Sequence, residues 1–359
     1  MHAFNLRKLT LTLAAGGALA GLALLPTASA QAAASPAAVS AAKAQWQSSI
    51  ARVPEQGNGC YQASYPALTW HSVACVAAPD IVLAPAVAGK GKSAGHATPV
   101  TVGDGTDYSA VVTGKISKAV GTFANVSSNI SEKGAVDGEG SRVSNSFSLQ
   151  LNSQFFSGSP ACSGSSDSAD CQAWQQFVYT YNGGGTGDLF MQYWLIDYNA
   201  SCPSGWDSYS EDCYTNSNAI EVSSITAAEL ASVSLGASAV SGGNDTVSLS
   251  VGSGQASSVN GSDSVVDLAS YWNTTEWGVF GDGGGSAADF GSSNTLEPVT
   301  TLTATSSAAP SCVEEGFTGE TNNLKLAATA ALGSESSPTM ASEQTDGSAG
   351  TASCATAAG

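Results

Sequence analysis

A two-sheet antiparallel β-sandwich of the jelly-roll kind is the fold class that the sequence predicts for most of the chain. Segments rich in Val, Tyr, Phe, Trp and Thr recur between residues 108 and 305, and clusters of Gly, Asn, Ser and Asp separate them. Helical periodicity is nearly absent outside residues 35–49. About 200 residues suffice to bury one core of this kind, so we expect a single all-β domain.

Candidate strands are distributed along the whole of that part. They cover residues 108–113, 121–126, 142–155, 174–181, 189–198, 219–224, 231–240, 245–251, 272–280 and 298–303. Two of these segments, 189–198 and 271–281, are apolar on both faces and are expected in the middle of a sheet. Gln192 is then expected among aromatic side chains, and Glu276 on one face with Trp272 and Phe280. A carboxyl group in such surroundings is a candidate for a raised pKa.

The rest of the chain is predicted to be accessory to this domain. Residues 1–30 have a basic start, an apolar run and a small-residue end, which is typical of a secretory signal peptide, so we expect a secreted, extracellular protein. Residues 31–107, including the Gly- and Lys-containing run 87–99, are predicted to be a pro-region or a linker or accessory segment. Residues 306–359 are predicted to be a low-complexity tail with one possible strand, at 323–331.

Eight cysteines in an exported chain predict disulfide bonds, although the sequence alone does not fix their connectivity. Their spacing favours four local pairs. These are Cys60 with Cys75, Cys162 with Cys171, Cys202 with Cys213, and Cys312 with Cys354. A zinc site is disfavoured, because the chain has no C-x-x-C pair and no histidine beyond His96. The Asp-containing loops at 104–107 and 282–289 lack a fixed calcium-ligand spacing and are predicted to be turns. We therefore expect no metal and no cofactor.

Negative charge is concentrated in the predicted sandwich and tail. Five Lys or Arg face 27 Asp or Glu after residue 100, a formal charge of −22, whereas the whole chain carries −18. Such a surface repels nucleic acid and anionic lipid. We expect no nucleic-acid partner, no membrane span and a monomer. Most of this charge is lost at low pH, which suits an acidic environment.

The position of the last histidine limits the possible chemistry. Without a histidine beyond His96, the predicted sandwich holds neither a Ser-His-Asp nor a Cys-His catalytic system. What remains is carboxyl chemistry, hydrogen bonding by amides and hydroxyls, and aromatic stacking.

The stretch TTEWGVFGDGGGSAADFGSSNT at 274–295 resembles the late strand, turn and strand of the eqolisins, the glutamic peptidases. Residues 108–128 and 231–257 are similar to that family's opening strands and long hairpin, so the resemblance covers about 108–303. It implies a sandwich of the lectin/glucanase or eqolisin type and an acid-active endopeptidase, a hydrolase of polypeptides. It also implies that Glu276 activates water as a general base and that Gln192, 84 residues earlier, binds the oxyanion.

Departures from the family pattern leave a second hypothesis open. The family strand carries two glutamates around its Trp, and here the second position is Phe280; Gln176 is an alternative partner for Glu276. The alternative function is a non-catalytic secreted binding protein, for carbohydrate or a cell surface, on the same sandwich. Three aromatic residues are candidates for substrate or glycan contact, with core packing as the competing explanation: Trp194, Trp272 and Trp277.

Overall fold

The computed structural model describes residues 35–53, 57–86, 101–252, 254–347 and 351–359. The predicted signal peptide and the run 87–99 lie outside these ranges. The described residues form one α-helix, short 3-10 turns and 25 strands, which confirms the all-β prediction. No helix within the described residues is long and apolar enough to cross a membrane.

The elements follow one another in a simple order. The helix is α1 (Pro36–Ile50), and the 3-10 turns are Val136–Gly138, Pro160–Gly164, Ala227–Ser232, Asp263–Val265 and Leu268–Ser270. The strands are β1 (Gly59–Ser64), β2 (His71–Val73), β3 (Val76–Ala77), β4 (Thr101–Gly103), β5 (Tyr108–Val111), β6 (Ile116–Ala124), β7 (Glu132–Ala135), β8 (Arg142–Ser144), β9 (Ser148–Ser153), β10 (Phe156–Ser157), β11 (Gln172–Tyr181), β12 (Thr186–Ile196), β13 (Asp207–Tyr209), β14 (Asp212–Asn216), β15 (Asn218–Ser223), β16 (Ser234–Ala239), β17 (Asn244–Val251), β18 (Gln255–Ser262), β19 (Thr274–Phe280), β20 (Ala287–Phe290), β21 (Thr295–Ala304), β22 (Ser311–Glu314), β23 (Thr321–Ala327), β24 (Thr339–Thr345) and β25 (Cys354–Ala357).

The strands form two large sheets. Sheet I has the order β2-β1-β18-β17-β16-β6-β21-β24-β23-β20-β7-β8, with β25 beside β24 and β4 beside β23. Sheet II has the order β13-β14-β12-β11-β9-β19-β5-β22, with β10 beside β11 and β15 between β12 and β3. Pairing is antiparallel except between β20 and β23. The predicted two-sheet antiparallel sandwich is therefore confirmed.

The core lies between the sheets because alternate side chains of each strand point toward the other sheet. On sheet II, Leu151 and Phe177 belong to this inner face, and both are fully buried. Trp277 also points inward, and its ring packs on Phe123 of sheet I with centroids 4.9 Å apart. Trp272, just before β19, packs on Phe177 at 5.8 Å. These contacts leave the opposite face of sheet II free to carry a different set of side chains.

The N-terminal segment is built into this architecture. Ser35 caps α1 by accepting a hydrogen bond from the amide of Ala38 at 3.3 Å, and the helix buries Trp46 and Ile50 near β1 and β18. Strand β1 pairs with β18 over six residues, at the end of sheet I. Whether residues 31–107 are removed as a pro-region stays a prediction.

The C-terminal part differs from its expectation. Four strands, β22 to β25, occupy the region for which the sequence predicted one. Small residues dominate these strands and hide their hydrophobic alternation in the sequence, yet Leu324, Leu326 and Met340 are buried in the core. The described residues of 306–347 and 351–359 therefore contribute strands to both sheets.

All four predicted disulfide pairs are confirmed. Three of the bonds join cysteines that lie 15, 9 and 11 residues apart in the sequence, so each of them closes a short local loop. The fourth joins Cys312 on β22 of sheet II to Cys354 on β25 beside sheet I, 42 residues later. It therefore links the two sheets, and because it closes the longest of the four loops it restricts the unfolded chain most.

A substitution at Gly121 tests the packing between the sheets. A Cβ atom there would lie 2.2 Å from the ring of Trp277, and that ring is held by a 2.9 Å hydrogen bond to the carbonyl of Thr122. We expect Gly121→Ala to lower the free energy of unfolding by about 3 kcal/mol, at the upper end of overpacking costs. Chemical denaturation measures it. The control is Gly333→Ala, where nothing lies within 4 Å of the new Cβ; equal stability of the two variants would contradict the packing.

Candidate active site

Five polar side chains form one row across the outward face of sheet II. The strand registers align Glu276 of β19 with Asn152 of β9, Gln176 of β11, Gln192 of β12 and Asn216 of β14. We call this set the amide row. The first four residues are fully buried, and the alternate residues of the same strands fill the core. The predicted pair, Glu276 and Gln192, thus shares a face. Three strand spacings separate the two residues, about 14 Å.

Glu276 is enclosed by main-chain and side-chain donors. Its Oε2 accepts hydrogen bonds from the Nδ2 of Asn152 at 2.9 Å and from the amides of Phe317 at 3.1 Å and Thr318 at 3.3 Å. Its Oε1 has no hydrogen-bond partner among the described residues. A Cβ on Gly316 would lie 2.8 Å from this oxygen and 3.1 Å from the amide nitrogen of Thr106, so a larger residue there would displace the carboxyl group. Burial raises the pKa of Glu276, although the three donors oppose the shift.

Two further buried carboxyl groups lie near Glu276. Glu320 accepts hydrogen bonds from Gln150 at 3.3 Å, from the amide of Gly285 at 3.2 Å and from the hydroxyl of Thr318. Burial raises the pKa of Glu320 to about 7. Asp107 accepts from the amide of Tyr108 at 2.7 Å, and its pKa is raised by burial and then by the charge of Glu276. We call Asp107, Glu276 and Glu320 the carboxyl cluster.

Sequence reasoning missed most of this cluster. The sequence predicts a turn at Asp107 and a tail around Glu320. One signal was present: strand β9 reads SLQLNS, where Ser148, Gln150 and Asn152 alternate with two leucines. Polar residues at every second position of a fully buried strand indicate a polar layer beneath a cover.

A segment from the N-terminal part covers the amide row. The Oε1 of Gln192 accepts a hydrogen bond from the amide of Leu83 at 3.0 Å, while its Nε2 donates to the carbonyl of Ile81 at 2.9 Å. Asn216 donates to the carbonyl of Pro79 at 3.3 Å. The two side-chain amides therefore bind the main chain of residues 79–83.

The second half of this segment pairs with main-chain groups. The amide of Gly284 donates to the carbonyl of Val82, and that of Gly319 donates to the carbonyl of Ala84, each at 2.8 Å. The amide of Ala86 donates to the carbonyl of Phe317, also at 2.8 Å. Since the amide of Phe317 binds Glu276, the segment ends beside the carboxyl cluster. Residues 79–86 thus lie across the face as an extended polypeptide, and we call them the covering segment.

The three predicted contact tryptophans do not share this face. Trp194 lies on it, fully buried, with the rings of Tyr214 at 5.2 Å and Trp174 at 6.4 Å. Trp277 and Trp272 lie between the sheets at 1% and 0% exposure. Trp272 precedes β19, so the strict alternation expected over 271–281 does not extend to it.

Within the described ranges, no three His, Cys, Asp or Glu side chains are grouped so that they could hold a metal ion. The arrangement instead offers carboxyl groups that exchange protons and amides that bind a main chain.

Comparisons with known proteins add little to this description. No family profile matches the chain, and no curated protein sequence matches it. Among solved structures, the chain is similar to scytalido-glutamic peptidase with a transition state analog inhibitor. The identity is 14% and the TM-score 0.33, with 69% of this chain and 100% of that chain covered. A likeness of this degree carries no conclusion about a site or an activity.

The carboxyl cluster predicts that stability falls as pH rises. The unfolded chain releases a glutamic acid proton near pH 4, whereas folded Glu320 keeps its proton to about pH 7. The folded state therefore binds more protons between these values, and the free energy of unfolding decreases across this window, by about 3 kcal/mol at most for this group. We expect a lower Tm at pH 8 than at pH 4 by calorimetry.

Glu320→Gln tests the contribution of that group. Its amide cannot ionise, so the difference in Tm between pH 4 and pH 8 should shrink. Glu211→Gln removes the same charge from an exposed side chain and is the control. An unchanged difference in Glu320→Gln would show that Glu320 does not retain a proton.

Proposed function

We propose that this chain is a secreted, acid-active, endopeptidase-like protein whose polypeptide-binding groove is the outward face of sheet II. The observation that carries the proposal is the covering segment, whose main chain is bound by Gln192 on both its donor and acceptor atoms. An amide that binds N–H and C=O groups of one chain recognises an extended polypeptide irrespective of sequence. Four disulfides and the predicted signal peptide support secretion.

Glu276 is the general base of the proposed reaction. When ionised, it takes a proton from a water molecule, whose oxygen then attacks the carbonyl carbon of the substrate. A neighbouring neutral carboxyl, for which Asp107 is the candidate, gives a proton to the departing nitrogen as the C–N bond breaks. Asn152, whose Nδ2 lies 2.9 Å from the carboxyl group of Glu276, is the candidate for binding the oxyanion that forms. We assign Gln192 to binding of the main chain.

The covered arrangement is a closed form, and catalysis requires that a competing polypeptide such as the substrate first displaces the cover. Residues 316–318 enclose Glu276, and burial keeps its carboxyl group protonated in acid. Displacement of the covering segment and of 316–318 would admit water and remove the main cause of the raised pKa. The cluster would then titrate near pH 4, so that one carboxyl is ionised while another stays neutral. This combination supports activity at about pH 3–5.

A non-catalytic polypeptide-binding protein is the alternative. It is favoured by the enclosure of Glu276 and by Phe280, whose ring lies close to Gly278 on the same face of β19. A glycan platform is less favoured, because Trp194 and Trp174 are fully buried. Both functions would use the same groove, and an assay of polypeptide hydrolysis distinguishes one from the other.

Hydrolysis of a denatured protein tests the proposed function. Purified full-length chain should degrade acid-denatured casein at pH 3–5 and not at pH 8. Glu276→Gln should reduce the rate at least about 100-fold, the scale of a lost general base. The exposed-site control Glu211→Gln should retain the rate of the unaltered chain. Equal rates in Glu276→Gln and Glu211→Gln would exclude Glu276 from catalysis, and no hydrolysis by any form would favour the binding protein.

Self-processing provides an independent measurement. The covering segment leads at Ala86 to the carboxyl cluster, so the first cut is expected within residues 87–107. Incubation at pH 3 should release an N-terminal fragment on a denaturing gel, because Cys60 and Cys75 pair with each other and not with the sandwich body. Mass spectrometry locates the cut. Glu276→Gln should stay intact, and a fragment of the same size from this variant would assign the cut to a contaminating protease.

A further inference from the structure

The covering segment buries two aliphatic side chains that the main-chain contacts do not require. Ile81 is 3% exposed and Leu83 is fully buried, and both pack with Val178, Phe190 and Ala219. We call these last three residues the aliphatic pocket. Side chains two residues apart on an extended chain point to the same side. The intervening Val82 is only half-buried, as expected for a side chain that points away from the pocket.

The pocket is closed on its other side by a tight contact. A Cβ atom on Gly283 would lie 2.5 Å from Cγ1 of Ile81, so the loop approaches this side chain as closely as glycine allows. Gly283 also has a φ of 86°, which favours glycine. The surrounding protein therefore restricts where the side chain of Ile81 can lie. The complete burial of Leu83 restricts its side chain in the same way.

We infer that this groove selects polypeptides with two aliphatic side chains separated by one residue, bound in the places of Ile81 and Leu83. The inference rests on the proposed function in naming such chains as substrates. Val178, Phe190 and Ala219 determine the selection, because none offers a polar group to a buried charge or amide. Gln192 binds the intervening main chain and contributes affinity without selecting side chains.

The direction of the covering segment places the selected residues relative to the cut. The chain runs from Asn216, which binds Pro79, toward Phe317, which binds Ala86 and whose amide contacts Glu276. The aliphatic positions therefore precede the point nearest the carboxyl cluster. Selectivity is expected on the N-terminal side of the cleaved bond, at least three residues before it.

Displacement of the covering segment tests the pocket without hydrolysis. The full chain carrying Glu276→Gln holds its own segment at a high effective concentration, so a fluorescent peptide of residues 79–86, PDIVLAPA, should bind it weakly. Leu83→Asp places a carboxylate in the aliphatic pocket and should weaken the binding of the covering segment to the groove. In that background the peptide should bind at least ten-fold more tightly, measured by fluorescence anisotropy. Leu83→Ala is a milder second variant, in case Leu83→Asp does not fold.

Matched controls distinguish an effect of the aliphatic pocket from a general weakening of the attachment of the covering segment. Val76→Asp makes the same kind of change at a side chain that is 45% exposed, and it should leave peptide binding weak. The peptide with aspartate in place of its leucine should bind Leu83→Asp at least ten-fold more weakly than PDIVLAPA. The inference is overturned if folded Leu83→Asp and Leu83→Ala bind PDIVLAPA no better than Val76→Asp does, or if both peptides bind equally.

The outcome is separable from that of the hydrolysis assay. If the peptides bind selectively but the unaltered chain hydrolyses no casein, the selectivity of the aliphatic pocket is supported and the proposed peptidase activity is rejected. If casein is hydrolysed but the peptides bind without selectivity, the proposed peptidase activity is supported and the selectivity of the aliphatic pocket is rejected.

Discussion

The burial of polar groups on the outer face of sheet II, whose inner face already packs on the core, is the constraint on which the rest of this structure depends. Strand alternation gives sheet II an inner face for the core and an outer face that carries Glu276, Asn152, Gln176 and Gln192. Buried amides and carboxyls are costly unless they are hydrogen-bonded. The face therefore needs a cover that supplies N–H and C=O groups, and an extended main chain supplies both. The covering segment and residues 316–319 meet that need together, which explains why they also pair with each other.

The same cover determines the charge of the site. Removing Asp107, Glu276 and Glu320 from water favours their neutral forms. The charge of Glu276 adds to this effect on Asp107, and that of Glu320 adds to it on Glu276. The closed form is thus compatible with acid, and it holds the proposed general base in a protonated state. Exposing the outward face of sheet II to water removes both the stability of this form in acid and the protonation of Glu276. Latency and acid stability consequently have one physical cause, the exclusion of water from the carboxyl cluster.

The sequence predicted the features that depend on local pattern. Strand alternation indicated a sandwich, cysteine spacing indicated four bridges, and the two-sided strands placed Glu276 and Gln192 in the middle of sheet II. Features that depend on distant pairing were not predictable. Small residues dominate the strands after residue 305, and Glu320 comes near Glu276 only when the chain folds. The main-chain partners of Gln192 come from 109 and 111 residues away, beyond any pattern in its own strand.

The attachment of the covering segment determines what a cut after Ala86 achieves. Strand β3, directly before the segment, pairs with β15, while β1 pairs with β18 over six residues. Helix α1 adds buried contacts of Trp46 and Ile50. A cut chain would keep all these contacts, so its N-terminal part would remain bound at a high effective concentration beside the groove. Cleavage alone therefore leaves the groove occupied, and opening it requires separation of β1 from β18 or exchange with a competing polypeptide.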